Sequence, residues 1–310
     1  MLQLRREFLE QPGGPRIAYV VLEPNDYGLW YEYRADPFRW SARLGIAPNA
    51  GPPSPPRGTV LMLHGWSLDG IANLHWGLAL AERGYRVVLM DLRNHGASGR
   101  APAGLGTREA DDVLALVAEL RRRGRATTPL VLFGVSLGAV TAIEAAARDS
   151  DIDGVVALEP FANGADAVRS AGAGLAGLMT MHAITERLAT PERLDRVIDD
   201  LSRRLDLDVR AIDVQQAMAR VRACTVIVHG QRDRLIPVES TRALGAGQRN
   251  ASRVELPWDG HFSTPSRLDL LAQPVSDWIG RLAAGRCAPL KLYPFGPTNG
   301  VRMVLAKPGA

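Results

Sequence analysis

A serine hydroxyl is a weak nucleophile at neutral pH. It becomes useful where a base can take its proton and a third group holds that base in the right tautomer. Ser136 stands where such chemistry could begin. It lies in Leu130-Val131-Leu132-Phe133-Gly134-Val135-Ser136-Leu137-Gly138-Ala139-Val140, an apolar run that passes through Gly-Val-Ser-Leu-Gly into an alanine-rich, helix-like stretch. A strand turning sharply into a helix would lift the middle side chain of that turn. Gly134 and Gly138 are the residue type a close backbone approach demands.

The base should be a histidine, whose ordinary pKa lies near working pH. The six histidines are His64, His75, His95, His182, His229 and His261. His64, His95 and His229 each sit directly before a glycine in a segment following an apolar run, a position that suits a ring tucked into a turn and bonded to backbone. His261 differs. It follows Asp259-Gly260 in a loop after the last core strand and precedes Phe262-Ser263-Thr264-Pro265, where it can swing over the serine. His182 reads as a surface or packing residue.

Two carboxylates compete to orient His261. Asp233 lies in the polar turn His229-Gly230-Gln231-Arg232-Asp233-Arg234-Leu235-Ile236-Pro237, and Glu159 ends the apolar run Val155-Val156-Ala157-Leu158. Asp233 is the expected acid and Glu159 the alternative. Asp259 is too close in sequence to His261 to orient it easily. A developing oxyanion needs two preorganised N–H groups. One is expected from Leu137, at the start of the helix after Ser136, where free donors and the helix dipole point outward. The second is expected from Trp66, in His64-Gly65-Trp66-Ser67, with Ser67 as runner-up; the Trp66 indole would also wall an acyl pocket.

These loops need a frame. Thr59–Leu63, Tyr85–Met90, Leu130–Val135, Asp153–Leu158, Thr225–Val228 and Arg253–Leu256 read as strands, most of them continuous apolar runs. Between several of them lie helical stretches, Ile71–Arg83, Thr107–Arg123 and the run after Ser136, and Arg267–Leu282 follows the last. That alternation predicts an α/β fold, a mostly parallel sheet with helices on both faces. The expected parts are an N-terminal strand and Pro-rich loop (1–58), a core (59–160 and 222–285), an inserted helical cap (161–221) and a C-terminal tail (286–310). Within the first part, the aromatic segment from Asp26 to Trp40 reads as irregular chain packed on the core, or as part of a pocket wall. Within the cap, Ser170–Ile184 is small and apolar, with Met179 and Met181, and suits a lid or a packing helix.

The motifs, in order, are His64-Gly65-Trp66, Asp91-Leu92-Arg93-Asn94-His95-Gly96-Ala97-Ser98, Gly134-Val135-Ser136-Leu137-Gly138, His229-Gly230-Gln231-Arg232-Asp233 with Pro237, and Gly260-His261. In this order, serine then acid then histidine, the chain resembles the α/β-hydrolase superfamily. Glu109, Asp112 and Pro160-Phe161-Ala162 are similar to the branch that holds esterases, lysophospholipases and serine aminopeptidases. The resemblance implies the α/β-hydrolase fold and acyl transfer to water through an acyl-enzyme. A serine in place of aspartate speaks against dehalogenation, and the loop after His64 lacks the Gly-Gly-Gly of many lipases. Hydrolysis of carboxylic esters is the expected activity. Thioesters, lysophospholipids or monoacylglycerols, and peptides are the alternatives that the same triad permits. A non-catalytic binding protein of this fold would lack a triad member, and here all are present.

Composition narrows the rest. The chain has 310 residues, 46% hydrophobic and 23% charged, with a formal net charge of +4. This is an ordinary globular balance without the basic stripe of a nucleic-acid binder; the run Arg121–Arg125 reads as the end of a helix. No metal cluster, dinucleotide fingerprint or P-loop appears, so no cofactor is expected and the partner is a small acyl substrate. Neither a signal peptide nor a bilayer-spanning stretch is legible, and the two cysteines, Cys224 and Cys287, are far apart. That spacing argues against a disulfide framework and for a reducing, cytoplasmic setting.

Overall fold

The computed structural model describes residues 4–35, 39–47, 52–179, 190–282, 284–285, 287–293 and 302–304. Its centre is a sheet of strands β1 (Arg6–Leu9), β2 (Ile17–Leu22), β5 (Thr59–Leu63), β6 (Arg86–Met90), β7 (Leu130–Val135), β8 (Gly154–Leu158), β9 (Cys224–Gly230) and β10 (Ala251–Leu256). Their order is β1-β2-β6-β5-β7-β8-β9-β10. The six strands from β6 to β10 run parallel, while β2 pairs antiparallel with both β1 and β6. This is the α/β-hydrolase architecture expected from the alternation of strands and helices.

Both faces of the sheet are covered, which is why its central strands are apolar at every position rather than at every second one. Along β5, Leu61 and Leu63 join one core and Val60 and Met62 the other; Leu132 and the neighbouring Val131 and Phe133 divide in the same way. Helices α2 (Thr107–Arg122) and α3 (Leu137–Ala146) seal the first core, with Val113, Leu116 and Ile143. Helix α1 (Leu74–Ala81) seals the second, together with a long C-terminal helix over Leu268–Leu282, through Trp76, Leu78, Leu271 and Trp278.

The start of α2 is capped by Glu109. Its two carboxylate oxygens accept the N–H groups of Gly104 and Gly106 at 2.9 and 2.7 Å. Asp112, one turn on, forms a buried two-point ion pair with Arg93 at 2.7 and 2.9 Å. Both acids therefore hold the loop after β6 against α2.

Between β8 and β9 the described chain is helical: α4 (Gly164–Met179), α5 (Pro191–Leu205) and α6 (Val214–Met218). One isolated bridge, Asn163 to Asp213, ties the start of this segment to its end. Met181, His182 and Ile184 lie outside the described residues. After β9 come the one-turn α7 (Val238–Thr241) and then α8, the Leu268–Leu282 helix already met. Among the described residues no helix is long and apolar enough to cross a membrane.

Two regions depart from the sequence reading. The aromatic N-terminal segment is regular: β3 (Trp30–Ala35) and β4 (Trp40–Gly45) form an antiparallel hairpin, and β11 (Arg302–Val304) from the tail pairs with β3. The period-two pattern was there, with Tyr31 and Tyr33 buried and Trp30 and Arg34 exposed. The second departure is a disulfide between Cys224 and Cys287, with Cα atoms 5.1 Å apart. Sequence distance hid this pair because α8 carries the chain back to the start of β9. The bond removes the cysteine argument for a reducing compartment.

Candidate active site

Ser136 is the hinge between β7 and α3. Its backbone has φ 52° and ψ −113°, a left-handed conformation that a non-glycine residue holds at a cost of about 1–3 kcal/mol. Neighbouring backbone makes the turn obligatory. A Cβ on Gly134 would lie 2.1 Å from the Gly138 carbonyl oxygen, and one on Gly138 would lie 2.2 Å from that of Leu63. The Ser136 N–H donates to Leu158 O at 2.8 Å, anchoring the turn to the end of β8.

The structure brings Ser136, His261 and Asp233 together from three separate loops at the carboxyl end of the parallel strands. Ser136 Oγ lies 3.1 Å from His261 Nε2, and His261 Nδ1 lies 2.7 Å from Asp233 Oδ2. Asp233 Oδ1 accepts the N–H groups of Leu235 and Ile236, both at 2.8 Å, so the carboxylate cannot rotate without losing two bonds. Burial is the largest influence on the Asp233 carboxyl and would raise its pKa. Hydrogen bonds from His229 and His261, with the His261 charge and the Ile236 amide, outweigh it and hold the group well below the usual carboxylate range.

The loop carrying His261 is clamped from outside the sheet by residues that sequence reasoning missed. Asp259 pairs with Arg267 at 2.8 Å and faces the Tyr33 hydroxyl at 3.4 Å, while the Arg267 guanidinium lies 4.6 Å over the Tyr33 ring. The Tyr31 hydroxyl donates to Ser266 O, and the Trp76 indole and His75 ring reach Pro265 O at 2.7 and 3.0 Å. Thus β3 and α1 fix both flanks of the histidine loop. Asp259 serves that loop and not the ring of His261.

On the other side of Ser136 lies the turn after β5. The Cβ position of Gly65 is 3.6 Å from Ser136 Cβ, which places Trp66 beside the serine. The Ser67 N–H is spent on His95 Nε2 at 3.3 Å. The Trp66 side chain is 53% exposed and meets the His95 ring edge-on at 5.7 Å. Leu137 opens α3, so its N–H belongs to the free first turn of that helix.

His64 and His95 behave as rings tucked into turns. His64 Nδ1–H donates to Gly65 O at 2.8 Å and Nε2 accepts from Leu92 N at 3.0 Å, and burial pushes its pKa down to about 4. His95 Nδ1–H donates to Arg93 O at 2.8 Å. His229 is bonded to backbone too, at Ile236 O (2.9 Å), but it also stands between the two rival acids. Its Nε2 is 2.9 Å from Glu159 Oε2 and 3.4 Å from Asp233 Oδ2. Glu159 lies behind Asp233, facing His229 and the Gly230 N–H (2.9 Å). Of the two candidate acids, only Asp233 is hydrogen-bonded to His261. By residue type the three buried groups could hold a metal ion. However, Nε2 points its proton at the Ile236 carbonyl and so offers no lone pair to an ion; Glu159 Oε1 is taken by Gly230, and Oε2 is left without a hydrogen bond.

Fold and site together define a hydrolase of the α/β type. Residues 54–209, half of the chain, match the family model described as Serine aminopeptidase, S33, and the chain belongs to that family. A pimeloyl-[acyl-carrier protein] methyl ester esterase of Xanthomonas oryzae is 26% identical over 249 residues, covering 71% of this chain and 94% of its own. The uncharacterised protein YqkD of Bacillus subtilis is 26% identical over 256 residues, covering 80% and 73%. Among solved structures, the esterase Pf2001 of Pyrococcus furiosus superposes with a TM-score of 0.58 at 18% identity, covering 92% of this chain and 93% of its own. The esterase EaEST of Exiguobacterium antarcticum gives 0.59 at 16%, covering 88% and 98%. At such identities these two structures speak for the fold.

Proposed function

We propose that this protein hydrolyses carboxylic esters through an acyl-enzyme on Ser136. The observation that carries the reading is the unbroken relay from Ser136 Oγ to His261 (3.1 Å) to Asp233 (2.7 Å), set on a strained turn between strand and helix. In this mechanism His261 Nε2 takes the serine proton as Oγ attacks the carbonyl carbon. Asp233 stabilises the imidazolium that forms, and the Leu137 and Trp66 amides receive the oxyanion. The imidazolium then protonates the departing alkoxide. Water attacks the acyl-enzyme, gives its proton to His261, and the serine is released with the acid product. Segment 161–221, through its described helices α4 to α6, serves as the cap over the acyl pocket, a role supported by its start two residues after Glu159, directly beside the serine turn.

The family description points to peptides and the Xanthomonas relative to a methyl ester. Ester substrates are favoured by the state of the acids around His261. Asp233 and Asp259 are buried and hydrogen-bonded, and Glu159 is completely buried against His229 behind Asp233, so none is offered to catch a substrate's amino terminus. The test is turnover across short p-nitrophenyl esters, thioesters and aminoacyl amides, with fluorophosphonate labelling of the serine. The expected result is ester turnover and a single adduct at Ser136, with Ser136→Ala losing on the order of 10⁵–10⁶ in kcat. An unlabelled Ser136, or near-native turnover by the alanine variant, refutes the assignment.

A further inference from the structure

Behind the Ser136–His261–Asp233 relay lies a second set of charged groups that the proposed chemistry does not use. Glu159 and His229 are both completely buried, and Glu159 holds a left-handed φ of 52° at the end of β8. We propose that Glu159 and His229 are positioning residues of the same site: His229 is an imidazolium at neutral pH, held by Glu159, that locks the Asp233 carboxylate as an anion facing His261. The inference rests on the reading of Ser136, His261 and Asp233 as the catalytic relay.

The geometry fixes a proton on Nε2 of His229 and accommodates a second on Nδ1. Nε2 lies 2.9 Å from Ile236 O, 2.9 Å from Glu159 Oε2 and 3.4 Å from Asp233 Oδ2. A carbonyl oxygen can only accept, so Nε2 must donate. Nδ1 faces Thr241 Oγ1 at 3.2 Å, and Val238 O, at 3.0 Å, is the nearer acceptor for that hydroxyl's proton. The hydroxyl also receives an N–H from Arg253 Nη1 at 3.3 Å, so it meets Nδ1 as an acceptor. The groups facing His229 are thus Glu159 at the end of β8, Asp233 in the loop after β9, and Thr241 on α7 with Arg253 of β10 behind it. Thr264, on the turn after His261, lies near Glu159. Burial works against the charged ring, but Asp233 and Glu159 outweigh it and raise the His229 pKa to about 9.

The charge count explains what this does for catalysis. At rest the buried set holds two carboxylates and one imidazolium. When His261 takes the serine proton it holds two of each, so the set is neutral when the oxyanion forms. Were His229 neutral, Glu159 and Asp233 would be two buried carboxylates around a single ring. Glu159, whose carboxyl burial already pushes up, would then take up a proton, since like charges at that distance disfavour each other. Asp233 would lose the charged hydrogen bond from His229 that helps hold its carboxylate in place for the His261 imidazolium.

The experiment uses the full chain labelled with ¹⁵N-histidine, with His229 assigned through its backbone. Imidazole nitrogen shifts are read from pH 6 to 10, alongside kcat for a p-nitrophenyl ester over the same range in the wild type and Glu159→Gln. The wild-type His229 is expected to show two protonated nitrogens up to pH 8 and to titrate near 9. In Glu159→Gln its titration is expected to fall by about two pH units, and the alkaline limb of kcat to fall with it. The rate loss should be about tenfold at pH 8 and should shrink below pH 7. A singly protonated His229 ring in the wild type at pH 7 overturns the proposal, with no variant needed. So does an alkaline limb in Glu159→Gln that superimposes on the wild type. Failure of fluorophosphonate to label Ser136 would instead sink the ester reading and leave the His229 measurement standing.

Discussion

Asp233→Asn separates the two candidate acids, and the structure dictates how the new amide must sit. Asp233 Oδ1 accepts two backbone N–H groups at 2.8 Å, from Leu235 and Ile236. An amide that turned its NH₂ toward them would leave two buried donors unpaired, at about 1–3 kcal/mol each. The asparagine oxygen therefore keeps the Oδ1 place, and the NH₂ takes the Oδ2 place, 2.7 Å from His261 Nδ1. An NH₂ there is a donor, so Nδ1 must become the acceptor and the ring proton moves to Nε2, which faces Ser136 Oγ at 3.1 Å. Nε2–H cannot take the serine proton. The charge that stabilised the imidazolium is also gone. Loss of both should lower kcat by about 10⁴, or roughly 5.5 kcal/mol in the barrier, with little change in KM. The assay is burst and steady-state hydrolysis of a short p-nitrophenyl ester near pH 8, with circular dichroism to verify the fold. Glu159→Gln leaves the His261–Asp233 bond in place and should cost far less. A loss under tenfold in Asp233→Asn, or a greater loss in Glu159→Gln, would refute the assignment of Asp233 as the acid.

The same buried set makes stability depend on pH. The His229 pKa is raised to about 9 in the folded chain from an ordinary 6.5, so its contribution is complete below about pH 6.5 and is lost as pH rises through 9. Urea denaturation should show a fold less stable at pH 10 than at pH 7, by up to about 3 kcal/mol, and equal midpoints would contradict the charged ring. A separate prediction concerns Cys224 and Cys287, whose bond closes a loop across 63 residues. Cys287→Ser, or reduction with a phosphine, should lower stability by roughly 2–4 kcal/mol; thermal unfolding unchanged by either would refute a structural role for the bond.

How much of this was legible in the sequence follows from what fixed each feature. The sheet was legible because strands covered on both faces must be apolar at every position, and β5, β7 and β8 carry that signal in five or six residues each. The serine turn was legible because only glycine fits 2.1–2.2 Å from a neighbouring carbonyl. The clamp on the histidine loop was not. Tyr33, Asp259 and Arg267 meet only because an N-terminal hairpin crosses to the C-terminal end of the fold, a contact across 226 residues. The alternation of Tyr31 and Tyr33 with polar or exposed neighbours is a strand pattern that the density of aromatics hid, and nothing in it tells what the strand packs on.

The three histidines that precede a glycine mark the limit most clearly. In sequence His64, His95 and His229 stand in the same local pattern, and local chemistry gives them one role. The structure separates them through strand order. His64 and His95 lie at neighbouring strand ends where the available partners are backbone N–H and C=O groups, and neutral rings satisfy them. His229 ends β9, beside β8, whose next residue is Glu159, and the turn after β9 folds Asp233 back over the ring. A neutral ring would leave those carboxylates facing each other in a dry interior; a charged one stabilises both. The rivalry between Glu159 and Asp233 visible in the sequence thus becomes a division of labour: Asp233 faces His261, while Glu159 holds the cation on which Asp233 depends.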